Sequence, residues 1–67
     1  MHDLELLNLA IANAKAETLA RPNKTYFLFW DGVDEYGIVP EENANLFRSH
    51  YSNCSLLGKY RNGEKVD

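Results

Sequence analysis

"TYFLFW", residues 25–30, places four aromatics and no charge in six consecutive positions of an acidic chain. Side chains alternate between the two faces of a strand. Tyr26, Leu28 and Trp30 therefore share one face, and Thr25, Phe27 and Phe29 share the other. A strand with one wet face alternates apolar and polar residues. This one is apolar on both faces after its first position, so both need cover.

The elements on either side determine how much cover the chain can supply. Upstream, Asp3 suits a helix N-cap and Glu5 its first turn, where the helix dipole favours a carboxylate. Leu4, Leu7, Ile11, Ala14 and Thr18 recur at three- and four-residue spacing and mark one helical face. Leu6, Leu9 and Ala10 widen that stripe. Pro22 disfavours helical geometry in the residue before it, which predicts a helix over residues 3–20. Downstream, the Asp31-Gly32 pair signals a hairpin whose loop runs to Glu35, with a return strand over 36–39. Pro40, Glu41 and Glu42 suit the opening turn of a second helix over 41–51, with Ala44, Phe47 and Tyr51 as its inner stripe. A third strand over 54–60 alternates only weakly. The Asn62-Gly63 pair then signals another hairpin, leaving a stub of return strand.

The order α-β-β-α-β predicts an α+β fold in one domain spanning residues 1–67, with two helices packed on a short antiparallel sheet. A domain of about 60 residues buries only ~60% of its unfolded surface and is marginally stable without a staple. The chain has one cysteine, Cys54, and so no internal disulfide. Two helices most readily cover one sheet face, with Phe27 and Phe29 inward. Tyr26 and Trp30 are then left for a partner, with a homodimer as the simplest case; the competing arrangement sets the two helices on opposite faces and buries the strand within a single chain. Tyr and Trp suit such a boundary because each pairs an apolar ring with a polar tip.

Composition removes several function classes. With 45% hydrophobic and 25% charged residues the chain is too apolar for disorder. The N-terminal segment has acids where a signal peptide has bases, and its apolar run is interrupted, so neither a leader nor a membrane span is expected. One free thiol and no targeting segment point to the cytoplasm. "NKT" and "NCS" match the glycosylation pattern, but carry no meaning without secretion.

His50 and Cys54 stand four apart, yet a zinc site needs at least three protein ligands. His2 beside the first methionine is expected to be mobile. Asp31, Asp34 and Glu35 lack the glycine and the bidentate glutamate of a calcium loop. No nucleophile triad, phosphate-cradling loop or cysteine pair is present. The expectation is a non-enzyme with no metal, cofactor, small-molecule substrate or membrane role.

The net charge of −3 is unevenly spread. Asp31, Asp34, Glu35, Glu41 and Glu42 form one run without bases, while Arg48, Lys59, Arg61 and Lys65 follow it. Such a field steers charged partners. The reading that follows is a small cytoplasmic protein-interaction module, an adaptor or inhibitor of a larger protein. Its binding residues are Tyr26, Trp30, Asp31, Asp34, Glu35 and Tyr36. The alternative is a nucleic-acid-binding accessory protein using Arg48, Lys59, Arg61 and Lys65.

Overall fold

A computed structural model describes residues 3–67, so the expectation for His2 lies outside the described residues. Helix α1 spans Leu4–Ala20, and strands β1 and β2 span Thr25–Trp30 and Tyr36–Pro40. A 3-10 turn at Glu41–Asn43 leads into helix α2, Ala44–His50; strands β3, Ser55–Arg61, and β4, Glu64–Lys65, complete the chain. The α+β class with two helices on an antiparallel sheet is as the residues predict.

Helix α1 starts where its cap dictates. The Asp3 Oδ1 atom accepts from the Glu5 and Leu6 amides at 2.9 and 3.3 Å, satisfying two of the donors that a helix start leaves open. Its buried face is built from Ala10, Ala14 and Thr18, with Leu7 and Ile11 half-buried. Leu4, assigned to the inner stripe, is exposed instead, and Leu6 and Leu9 are exposed beside it. Small side chains at the contact let the helix lie close to the sheet, so its large residues end at the margins.

The sheet order is β2-β1-β3-β4, all pairs antiparallel. β2 and β3 flank β1 and each opposes it, so they run parallel to each other. Their connection must cross β1, and α2 is that crossover. It crosses on the face of Phe27 and Phe29, whereas α1 covers the face of Leu28. Two cores result. Ala10, Ala14, Leu28 and Tyr60 form one, with Ile11, Tyr36, Ile38 and Leu57 packed on it. Phe27, Phe29 and Ala44 form the other, bordered by Val39, Phe47 and Cys54.

This corrects the expectation of an uncovered second face and matches the competing arrangement, with the helices on opposite faces. Phe27 and Phe29 are inward, but Tyr26 is inward too, at 5% exposure beneath α1. The chain places one helix on each face of its own central strand.

Two local corrections accompany it. Pro40 ends β2 rather than opening the second helix, whose first turn is 3-10 in form. β3 begins at Ser55, and its alternation is weak for a geometric reason. Leu28 faces Gly58 whereas Phe29 faces Leu56, so Leu57 is an extra, bulged residue that shifts the register. The Asn-Gly hairpin forms as expected, with both residues at positive φ, 52° and 83°.

Candidate functional site

The loop from Asp31 to Glu35 is organised by one carboxylate. Asp31 Oδ1 accepts from the amides of Val33, Asp34 and Glu35 at 2.8, 3.0 and 3.2 Å. Those amides, Val33 first, hold the Asp31 carboxyl below its ordinary range. Asp31 is therefore engaged within its own loop, while Asp34 and Glu35 carry their charge to the surface. Neither has an ion-pair partner among the described residues.

Asp34 and Glu35 stand at the mouth of a groove of about 280 Å³, lined also by Leu6, Leu9, Ala10, Asn13, Tyr36 and Ile38. One wall is the margin of α1, where Leu6 and Leu9 are 54% and 57% exposed. The other is β2, the edge strand of the sheet. A second hollow of about 520 Å³, lined by Asn13, Ala16, Glu17, Tyr26 and Ile38, continues along the same helix. The two share Asn13 and Ile38, so the groove runs along α1 from Leu6 to Glu17. At its far end Glu17 is paired with Arg21 at 2.7 Å.

The structure thus brings Asp34, Glu35 and Tyr36 together, and adds Leu6 and Leu9, the residues that widen the apolar stripe of α1. Trp30 is half-buried with its ring 5.0 Å from that of Tyr36, just beyond the groove. Tyr26 belongs to the core and only floors the second hollow. The available signal was that Leu6 and Leu9 widen the apolar stripe of α1 beyond what one buried face needs.

The basic residues gather elsewhere. Arg48 and Lys59 both approach the Phe27 ring, 5.9 and 5.0 Å from its centroid. Arg61 donates to Thr25 Oγ1 at 3.1 Å on the same face. Lys65 pairs opposite Tyr60 and so belongs to the α1 face, apart from the other three. The rings beneath the cations, Phe27 and Phe29, are buried and cannot receive a stacked base.

His50 lies edge-on to the Tyr51 ring, while Cys54 packs against the Phe27 cluster. Among the described residues no three His, Cys, Asp or Glu side chains converge on a metal position. None of the helices described is long and apolar enough to cross a membrane. Compared with protein-family models, curated proteins and solved structures, the chain matches none.

Proposed function

We propose that the chain is a protein-interaction module, an adaptor or inhibitor of a larger protein, engaging its partner through the α1–β2 groove. One observation carries this reading. Leu6 and Leu9 face Tyr36 and Ile38 across a trough whose mouth holds the unpaired acids Asp34 and Glu35. Burying apolar side chains there gains about 25 cal/mol per Å², and the acids raise the encounter rate of a basic partner. This function is non-catalytic and requires no cofactor, metal, membrane or small-molecule substrate.

A separate partner is favoured over a second copy because α1 already occupies the Tyr26 face on which a dimer would have formed. The chain's own charge of −3 also disfavours self-association through an acidic groove. We assign the protein to the cytoplasm on its single cysteine.

The test is site-specific photo-crosslinking in the host. A crosslinker at Leu9 is expected to capture one protein, whereas one at Lys15, on α1 outside the groove, captures none. The double substitution Asp34→Lys and Glu35→Lys is expected to slow and reduce capture. Equal capture from both positions would refute the reading.

A further inference from the structure

We propose that the groove takes an extended, basic-ended segment of the partner, which adds to the sheet as a new strand beside β2. This inference rests on the interaction-module reading and specifies what occupies the site.

The strand's hydrogen-bond phase is the first reason. The Asp31 amide donates to the Glu35 carbonyl at 3.0 Å. Bonded pairs recur every second residue in an antiparallel ladder. Gly37 and Val39, opposite Phe29 and Phe27, therefore turn their backbone groups toward β1. Ile38 turns its N–H and C=O outward, to the open edge of the sheet. Pro40, another outward position, has no N–H to leave unmet.

The second reason is shape. The Ile38 side chain packs on the α1 face, so the groove lies directly beside the outward backbone groups. A strand laid along that edge drops alternate side chains between β2 and the Leu6–Leu9 margin. The eleven-residue step from Leu6 to Glu17 covers about 16 Å of helix, matching roughly five residues of extended chain. A helical occupant has its own backbone groups bonded internally and leaves those of Ile38 unused.

Charge sets the orientation. Among the described residues Asp34 and Glu35 have no ion pair at one end, whereas Glu17 at the other is paired with Arg21. The complementary segment carries Lys or Arg at one end only.

The experiment pans a random peptide display library on the full chain, with Leu9→Glu and Leu6→Glu as counter-targets. Both positions are exposed, and circular dichroism confirms that each variant is folded before use. The expected peptides have apolar residues at alternate positions and one basic end. N-methylating one alternating set of amides weakens the synthetic consensus peptide roughly tenfold, while methylating the other set is tolerated. Peptides with apolar residues three or four apart, lost on Leu9→Glu yet indifferent to N-methylation, overturn the strand and leave the interaction module standing. An empty panning, or binders unaffected by both leucine variants, overturns both.

Discussion

Leu28 and Phe29 are neighbours in the chain and belong to different cores. Leu28 is 1% exposed against Ala10 and Ala14 of α1, and Phe29 is 0% exposed against Ala44 and Phe47 of α2. The Phe29 and Phe47 rings stack at 4.7 Å with 18° between their planes. One strand thereby anchors both layers.

Truncating either side of β1 should therefore be costly. Leu28→Ala is expected to lose about 2–5 kcal/mol, and Phe29→Ala about 3–5 kcal/mol, the usual ranges for fully buried side chains. Urea melts measure both. A loss below about 1 kcal/mol for either would mean that its face is not core.

Thr18 ties the end of α1 to the last hairpin. Its Oγ1 accepts from the Gly63 amide at 2.8 Å and donates to the Lys15 carbonyl at 3.0 Å. Thr18 is buried, so Thr18→Val strands the Gly63 amide and should cost about 1–3 kcal/mol. Thr18→Ser keeps the hydroxyl and should retain most of the stability. Equal melts for the two variants would show that the hydrogen bond contributes nothing.

Gly32 has φ of +93°, and a Cβ there would stand 2.6 Å from the backbone oxygen of Asn53. Gly32→Ala should cost at least the roughly 1–2 kcal/mol of a left-handed conformation, with the backbone clash in addition. Thermal melting checks it, and an unchanged midpoint would contradict the close approach of these two loops.

The Asp31 carboxyl is held below its ordinary range by backbone amides, that of Val33 first. A depressed carboxylate pKa adds stability that is full above the unfolded value, about 3.9, and is lost as pH falls through the folded one. Wild type should therefore melt above Asp31→Ala at neutral pH, and the gap should close progressively below about pH 4. A gap independent of pH would mean that the loop does not use the charge.

Much of the fold was legible because local signals mark element ends. Asp3, Pro22, Asp31-Gly32 and Asn62-Gly63 each act within a few residues, and each stands where its chemistry requires. Which face α2 covers was not legible. The order β2-β1-β3 requires α2 to cross β1 on one face or the other, and that order is a long-range pairing that no local pattern encodes. The Leu57 bulge blurred the one strand that would have revealed that pairing. The groove was half legible: Asp34, Glu35 and Tyr36 stood out, but Leu6 and Leu9 looked like core. Ala10 and Ala14 take the helix contact, and this leaves the two leucines outside.

The central claim is that the chain covers both faces of β1 itself, leaving the α1–β2 groove as its binding surface. An isotope-filtered NOE experiment on a mixture of labelled and unlabelled chains tests it most directly. The account predicts contacts from Leu28 to Ala14 and from Phe29 to Ala44 solely within one chain. Contacts from Tyr26 or Leu28 of one copy to a helix of another would contradict it.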